Sequence, residues 1–316
     1  MLVETFSLPC FVQSHDGRAL EAEIVLAGSG AHAGTAVVYL HPYPPLGGQL
    51  RNNVVQELSA SLDRRVALTV AFNLRGAGRS EGRTSWTGAA ELEDLRAVLG
   101  MLAAGRLLLH PRFHSSADRR SLLAQMHARG FLASAAAAAA DAVDQVAIPL
   151  PPVSRTLLCG YSYGSMLAAA IAPAEFPRLG IDYALISFPY SVLWALALQR
   201  RGWYLQRIAE TVAAAAAAKA AGPPALPEHV PRTLFVAGTA DNFTSIATYA
   251  RWWEQLRSKV LQALPPTLSA DAAADAADYA LTTVRIANAD HGWLRRETEV
   301  ADAIISWWPP LHDASQ

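Results

Sequence analysis

The stretch that decides the fold is Arg155-Thr156-Leu157-Leu158-Cys159-Gly160-Tyr161-Ser162-Tyr163-Gly164. Its opening run is β-branched or apolar, which predicts a buried strand over residues 155–160. The small and apolar residues that come after it predict a helix over residues 165–172. The stretch therefore indicates a sharp turn from strand to helix, with Ser162 at the turn.

A serine in such a turn has the surroundings of a nucleophile. The segment matches G-x-S-x-G, and Gly160 and Gly164 are required because side chains at these positions would collide in so tight a turn. The turn exposes the Ser162 hydroxyl at the N-terminus of a helix, whose dipole stabilises developing negative charge. We therefore predict that Ser162 is a catalytic nucleophile; the alternative is an incidental serine in a glycine-rich turn.

Two later strands end near residues that can activate this serine. A strand predicted over residues 233–237 runs into a glycine turn and Asp241, and a strand predicted over residues 281–287 is followed closely by His291. Residues at the carboxyl ends of parallel strands share one edge of the sheet. The chain order serine, aspartate, histidine accompanies this kind of elbow. We predict that His291 is the base and that Asp241 orients it.

Two other aspartates are weaker candidates for the acid. Asp290 is adjacent to His291 in sequence, so its carboxylate cannot easily reach the Nδ1 atom of that imidazole. Asp182 precedes a strand predicted over residues 183–188, which places it at the opposite edge of the sheet.

Strands and helices alternate along most of the chain, which favours a mainly parallel sheet with helices on both faces. The first two strands flank a tight turn at residues 15–17, so they predict an antiparallel pair at the sheet margin. We expect a single α/β domain over residues 1–316, with an eight-stranded, mainly parallel sheet. The predicted strands cover residues 6–14, 19–27, 35–40, 66–72, 155–160, 183–188, 233–237 and 281–287; the predicted helices cover residues 49–61, 91–102, 165–172, 246–261 and 300–308.

Three alanine-rich segments interrupt the alternation, and we interpret them as insertions between core elements. They cover residues 105–152, 193–231 and 263–280. The second is a helical insertion after the sixth strand, at the edge where Ser162 emerges, so it is a candidate cap over the site. The alternative is that its apolar residues only pack onto the body of the domain.

Composition excludes several classes of protein. The 316 residues carry a formal net charge of −1 without a basic stripe, so we expect no nucleic-acid partner. Two cysteines, Cys10 and Cys159, do not make a disulfide framework. No apolar run reaches the roughly 18–20 residues of a membrane span, and the N-terminus lacks the pattern of a secretory signal. We expect a cytoplasmic protein, with organellar targeting and the oligomeric state left open.

Two further patterns resemble ligand sites but lack the required context. Residues 28–33 match the dinucleotide fingerprint G-x-G-x-x-A, yet a strand rather than a helix follows, which favours a hairpin loop. His110 and His114 have the i, i+4 spacing of zinc ligands, but Pro111 breaks the helix that the spacing needs. We therefore predict neither a metal nor a cofactor.

The sequence resembles the α/β-hydrolase superfamily over nearly its whole length. Within that superfamily, His41-Pro42-Tyr43-Pro44 and Phe72-Asn73-Leu74-Arg75-Gly76-Ala77-Gly78-Arg79-Ser80-Glu81-Gly82 are similar to the H-P-x-P and F-N-x-R-G-x-G-x-S-E-G segments of a subgroup of small, mostly uncharacterised hydrolases. The resemblance implies serine-hydrolase activity on a carboxylic ester, a thioester or a small amide. The implied partner is a small-molecule acyl substrate.

Hydrolases of this fold hold the oxyanion with two backbone N–H groups. One comes from the residue after the nucleophile, here Tyr163, and the other from the loop after the third strand. Prolines in that loop have no N–H to donate, so Tyr43 is the predicted second donor. We interpret the neighbouring His41 as a structural hydrogen-bonding residue and Arg75 as a staple of its glycine loop.

The predicted chemistry is transfer of an acyl group to water through an acyl-enzyme on Ser162. Two alternatives stay open. An acyltransferase on the same triad would pass the acyl group to an alcohol or amine, and a non-catalytic relative would act as a scaffold or binding module.

Overall fold

An eight-stranded sheet runs through the computed structural model, which describes residues 3–28, 31–131, 147–222 and 229–311. The order across the sheet is β1-β2-β4-β3-β7-β8-β9-β10. The β1–β2 and β2–β4 pairs are antiparallel and the remaining pairs are parallel, so the predicted fold class is confirmed. The strands are β1 (Thr5–Gln13), β2 (Ala19–Ala27), β3 (His32–Leu40), β4 (Val66–Phe72), β5 (Arg106–Leu108), β6 (Ala147–Pro149), β7 (Arg155–Tyr161), β8 (Ile181–Ile186), β9 (Thr233–Gly238) and β10 (Leu281–Ile286).

Helices cover both faces of the sheet. They are α1 (Asn53–Leu62), α2 (Ala89–Ala103), α3 (Ser116–Ala128), α4 (Tyr163–Ala170), α5 (Leu193–Ala197), α6 (Arg201–Ala221), α7 (Ile246–Ala263), α8 (Ala270–Ala280) and α9 (Glu297–Trp307). Apolar side chains of α1 and α9 pack into one buried cluster, and those of α2, α4, α6, α7 and α8 pack into the other. Successive residues of β3, such as Val37 and Val38, contribute to opposite clusters, as expected for a strand buried on both faces.

The connection between β2 and β3 is not the hairpin loop that the sequence predicts. β4 lies between the two strands and pairs with both, antiparallel to β2 and parallel to β3. β2 and β3 are therefore not neighbours in the sheet, although they follow each other closely in sequence. The prediction was wrong because a short link indicates proximity of two strands but not which strand occupies the place between them.

The first alanine-rich segment contains structure that the sequence analysis did not predict. β5 and β6 form a separate antiparallel two-stranded sheet, and α3 lies between them in sequence. α3 begins with a capping box in which Ser115 and Asp118 satisfy each other's backbone N–H groups. The alanine run at residues 135–140 lies outside the described residues.

The second segment divides into two parts with different positions. α6 lies on the sheet face, where its buried residues include Tyr204, Ile208 and Val212. α5 and a short turn over Leu198–Arg200 lie between β8 and α6, near the carboxyl end of β8. α6 covers core surface, and Leu193 and Ala197 of α5 are buried as well. Trp194 and Leu198 are exposed, so α5 and the turn are the part of this segment that remains a candidate cap.

Alanine in the second and third segments serves helix packing. Ala215 and Ala216 of α6 are buried, and so are Ala276 and Ala277 of α8. These two helices pack against each other, and small side chains let their backbones approach closely. No helix among the described residues is long and apolar enough to cross a membrane.

Candidate active site

The turn between β7 and α4 holds Ser162 in a strained conformation. Ser162 has φ 52° and ψ −116°, a region that non-glycine residues rarely occupy. Its backbone N–H donates to Ile186 O at 2.8 Å, which ties the turn to the end of β8. A Cβ atom at Gly160 would lie 2.4 Å from Gly164 O, and one at Gly164 would lie 2.3 Å from Leu40 O. Neither glycine has room for a side chain.

The structure brings Ser162, His291 and Asp241 together from three different loops. His291 Nε2 lies 2.9 Å from Ser162 Oγ, and His291 Nδ1 lies 3.0 and 3.2 Å from the two carboxylate oxygens of Asp241. All three residues are buried. In the tautomer that protonates Nδ1, the imidazole donates to the carboxylate and accepts the hydroxyl proton. This arrangement can draw a proton from the serine as its oxygen attacks.

The loop after β9 fixes the carboxylate of Asp241. Oδ1 accepts backbone N–H groups of Phe243 at 2.8 Å and Thr244 at 3.0 Å. Burial alone would raise the pKa of Asp241, but the hydrogen bond and charge of His291 and these two N–H donors hold the pKa below its usual value. Asp241 is therefore an anion at neutral pH.

The loop after β10 is fixed by contacts that the sequence analysis missed. The Tyr161 hydroxyl donates to His291 O at 2.5 Å. Trp293 is fully buried, and its Nε1–H donates to Ser187 Oγ at 3.0 Å. Asp290 accepts the backbone N–H of Trp293 at 2.9 Å, so its carboxylate shapes the loop and does not contact the imidazole.

Phe243 is a second residue that the sequence did not single out. Its ring centroid lies 4.2 Å from that of His291, and its side chain is partly exposed. The ring therefore covers the imidazole at the entrance to the site. Its place two residues after Asp241 was the available signal, because the acid loop must run beside the histidine.

Asp182 lies near the amino end of β8, at the opposite edge from Ser162. It is fully buried and accepts from Arg155 Nη2 at 2.8 Å, Arg232 N at 2.9 Å and Trp308 Nε1 at 2.8 Å, while His229 Nε2 lies 3.1 Å away. Burial opposes ionisation, but His229 and Arg155 hold the pKa of Asp182 below its usual value. This carboxylate joins elements at the far side of the sheet.

The two tyrosines predicted to hold an oxyanion lie next to each other. The ring centroids of Tyr43 and Tyr163 are 5.0 Å apart, and Gly164 packs directly on the end of β3, where the Tyr43 loop begins. Within the described residues, neither backbone N–H is used in a hydrogen bond to another group. Both are therefore free to donate to a substrate oxygen.

His41 links the loops after β3 and β4. Its Nε2 accepts the backbone N–H of Leu74 at 2.9 Å, and its Nδ1 lies 2.7 Å from Pro42 O. Burial lowers the pKa of His41 to about 4, so the ring is neutral at physiological pH and accepts through Nε2. Its partners are backbone groups, consistent with the structural interpretation.

Arg75, in the loop after β4, makes a buried ion pair. Its Nε and Nη2 donate to the two oxygens of Asp94 at 2.7 and 2.5 Å, and Nη1 lies 3.3 Å from Asp16. Asp94, Asp16 and His15 have ligand atoms close enough to hold a metal ion. The Arg75 guanidinium already supplies a cation to both carboxylates, so we interpret these residues as an ion-pair network.

The histidines with zinc-like spacing serve the backbone of the opening strands. His114 Nε2 accepts the N–H of Phe11 at 2.9 Å, and His110 Nε2 lies 2.9 Å from Gly17 O. Each ring thus fixes the segment after β5 against β1 or the turn that follows it.

Glu91 is a buried carboxylate that the sequence analysis passed over. It accepts from the N–H and the hydroxyl of Ser85 at 2.6 and 2.5 Å, which fixes the loop before α2. Burial raises the pKa of Glu91 against the effect of these hydrogen bonds. The signal was its position on the same helix face as Leu95, one turn away, where a charge needs a partner.

Comparison of the sequence with protein-family models and with curated proteins gives no match. Solved structures, in contrast, share the fold. An α/β serine hydrolase without lid from Xanthomonas campestris aligns with a TM-score of 0.55 at 18% identity, covering 98% of each chain. A serine hydrolase homologue from Coxiella burnetii gives 0.53 at 20% identity, covering 97% of each chain. Est1E from Butyrivibrio proteoclasticus, solved with ferulic acid, gives 0.53 at 11% identity, covering 93% of this chain and 95% of that one. The chain therefore has the α/β-hydrolase fold.

Proposed function

We propose that this protein is a serine hydrolase that cleaves a carboxylic ester, a thioester or a small amide through an acyl-enzyme. The observation that carries the proposal is the hydrogen-bonded series from Ser162 through His291 to Asp241, set on a strained strand-to-helix turn. The names of the Xanthomonas protein, an α/β serine hydrolase, and of the Coxiella protein, a serine hydrolase homologue, agree with this activity.

The first half of the reaction forms the acyl-enzyme. His291 Nε2 takes the proton of Ser162 as Oγ attacks the substrate carbonyl, and Asp241 stabilises the imidazolium that results. The backbone N–H groups of Tyr43 and Tyr163 hold the oxyanion of the tetrahedral intermediate. When the carbon–heteroatom bond breaks, His291 returns the proton to the leaving group.

The second half releases the acid. His291 takes a proton from water, the hydroxide attacks the acyl carbonyl, and Ser162 leaves with the proton from the imidazolium. The segment of α5 and the turn over Leu198–Arg200 borders this side of the molecule, and we propose that it contributes to selection of the acyl chain. The reaction needs no group beyond the chain and water.

Labelling by a fluorophosphonate probe tests the proposal directly. Wild type should be labelled, and Ser162→Ala should lose both labelling and turnover of p-nitrophenyl acetate by about 10⁴-fold or more. Ser191→Ala is the matched control, because the Ser191 side chain is exposed at the same edge of the sheet. Its contact with Thr244 Oγ1, at 3.1 Å, is made by the backbone N–H, which the substitution keeps. Equal labelling of wild type and Ser162→Ala would overturn the assignment. Analysis of products with an added alcohol separates hydrolysis from acyl transfer.

A further inference from the structure

Exposed apolar side chains are concentrated at one edge of the molecule. Among the described residues, seven large hydrophobic side chains are exposed, and six of them lie in the segments that follow the carboxyl ends of strands β3, β4, β8, β9 and β10. We call these six the apolar rim. They are Leu46, Trp86, Trp194, Leu198, Phe243 and Leu294.

The topology places the rim around Ser162. Leu46 follows β3, Trp86 lies between β4 and α2, Trp194 and Leu198 follow β8, and Phe243 and Leu294 follow β9 and β10. In the order of the sheet, β7 lies between β3 and β8, so rim residues flank the nucleophile on both sides. Phe243 contacts His291 itself. The rim residues therefore lie at the edge of the sheet from which Ser162 emerges.

Apolar side chains that are exposed to this degree carry a free-energy cost when they face only water. Trp86 is 77% exposed, Leu46 is 74% exposed and Trp194 is 65% exposed. Clustered apolar exposure of this kind marks a surface that contacts another apolar phase or partner. Tryptophan and leucine together are typical of side chains that insert at the boundary between lipid headgroups and acyl chains.

The charges beside the rim indicate the kind of surface. Within the described part of the chain, Arg200, Arg201 and Arg295 have no carboxylate at salt-bridge distance. Two of them lie over aromatic rings, Arg200 over Trp203 at 4.3 Å and Arg201 over Tyr190 at 5.5 Å.

Two acidic side chains on this edge, Asp290 and Glu297, are directed into hydrogen bonds within the protein. Asp290 accepts from Trp293 N and Glu297 accepts from Asn53 Nδ2. Guanidinium groups that have no carboxylate partner within the described residues and lie among exposed apolar side chains complement the phosphates of an anionic lipid headgroup layer.

We propose that the apolar rim and its three arginines dock this protein on an anionic phospholipid surface. The rim enters the headgroup region, the arginines contact lipid phosphates, and Ser162 faces a substrate that lies in the layer. Docking goes beyond the proposed hydrolase activity and does not require it, because no rim residue carries the chemistry.

Sedimentation with vesicles tests docking separately from catalysis. The probe is a vesicle of equal parts phosphatidylcholine and phosphatidylglycerol, and the protein is the full chain carrying Ser162→Ala, so that no lipid is consumed. Adding Trp86→Ala and Trp194→Ala should lower vesicle binding at least about tenfold. Phe113→Ala is the matched control, because Phe113 is the exposed apolar residue that lies away from the rim, and it should leave binding unchanged.

The charge component has its own test. Arg201→Gln with Arg295→Gln should weaken binding to the mixed vesicles, and added salt should weaken binding of the parent protein. Vesicles of phosphatidylcholine alone should bind less than the mixed ones. Equal binding to both compositions would overturn the assignment of an anionic surface.

Two results would overturn docking as a whole. One is equal vesicle binding by the rim variant and by Phe113→Ala. The other is a concentration-dependent dimer, seen by light scattering, that the rim substitutions abolish while no variant binds vesicles. An unchanged thermal unfolding midpoint verifies folding of the rim variants, and Trp194→Ala alone replaces the double variant should it fail to fold.

Discussion

The carboxyl and amino edges of the sheet differ in their backbone strain and in the surroundings of their charged side chains. At the carboxyl edge lie Ser162, Asp241 and His291, together with every non-glycine residue of the described chain that has a positive φ. Those residues are Ser162, Ser187, Leu198, Asn288, Trp293 and Arg295. At the amino edge, Asp182 is fully buried and surrounded by donors. Strain and exposed apolar surface thus collect where chemistry is proposed, and a buried carboxylate that accepts from several donors lies at the opposite edge.

This difference predicts that the two buried aspartates can be separated by mutation. Asp241 and Asp182 both have a lowered pKa, and each lies about 3 Å from a histidine. That histidine is His291 for Asp241 and His229 for Asp182. Their positions relative to Ser162 decide which property each one controls. We expect activity to depend on Asp241 and stability to depend on Asp182.

The largest expected effect is that of Asp241→Asn on turnover. The amide keeps the size of the carboxylate but can hold His291 in the wrong tautomer, so kcat should fall on the order of 10⁴-fold. The thermal midpoint should change little, because Phe243 N and Thr244 N keep an oxygen acceptor. Ester hydrolysis and thermal unfolding measured on the same preparation check both parts.

Asp290→Asn is the matched control for that substitution. Its side chain accepts from Trp293 N and an amide oxygen can do the same, so turnover should fall far less than in Asp241→Asn. A larger loss in Asp290→Asn than in Asp241→Asn would show that Asp241 is not the acid.

The next largest effect is that of Asp182→Asn on stability. Removing one member of a buried ion-pair network costs about 3 kcal/mol, because Arg155 loses its partner charge. The kcat of the folded variant should match that of wild type, since Asp182 lies at the far edge. Urea unfolding gives the first quantity and ester hydrolysis below the unfolding midpoint gives the second. A large loss of kcat with unchanged stability would reverse the roles of the two edges.

The same variant predicts a pH dependence of definite sign. The pKa of Asp182 is lower in the folded chain than the usual 3.9 or so of an unfolded chain. Its stabilising contribution is therefore complete above about pH 5 and is lost as the pH falls through the folded value. The difference in unfolding free energy between wild type and Asp182→Asn should shrink between about pH 5 and pH 3. A difference that grows over this range would contradict the lowered pKa.

The smallest effect compares a glycine that has room with one that has none. A Cβ atom at Gly100, inside α2, would meet no atom within 4 Å. Gly100→Ala should therefore stabilise the protein by about 0.5–1 kcal/mol through the higher helix propensity of alanine, with unchanged turnover. The same substitution at Gly164 has no such room, and a folded, active Gly164→Ala would contradict the close approach to Leu40.

Local patterns predicted the sheet and the loops that carry the site. The G-x-S-x-G turn, the aspartate after β9 and the histidine after β10 each follow a strand of recognisable pattern, and parallel topology then brings the loops to one edge. Tyr161 and Phe243 could not be assigned in this way. Their roles depend on which loop approaches them in the folded chain. Tyr161 and His291, for example, are more than a hundred positions apart in sequence, and only packing of the whole domain brings them together.

The alanine-rich segments show a second limit. Low sequence complexity indicated insertions, yet Ala216 of α6 and Ala277 of α8 are buried, and these two helices pack against each other. Alanine carries little periodic signal, because it is tolerated both in solvent and in a close helix contact. The burial of such a residue is decided by the partner helix.

The contact between Trp308 and Asp182 has a consequence for synthesis of the chain. β8 is made long before the indole that donates to its buried aspartate. During translation the carboxylate therefore lacks one of its donors until the last helix has emerged from the ribosome. The amino-terminal strands can pair earlier, but the set of donors around Asp182 is complete only once Trp308 is available.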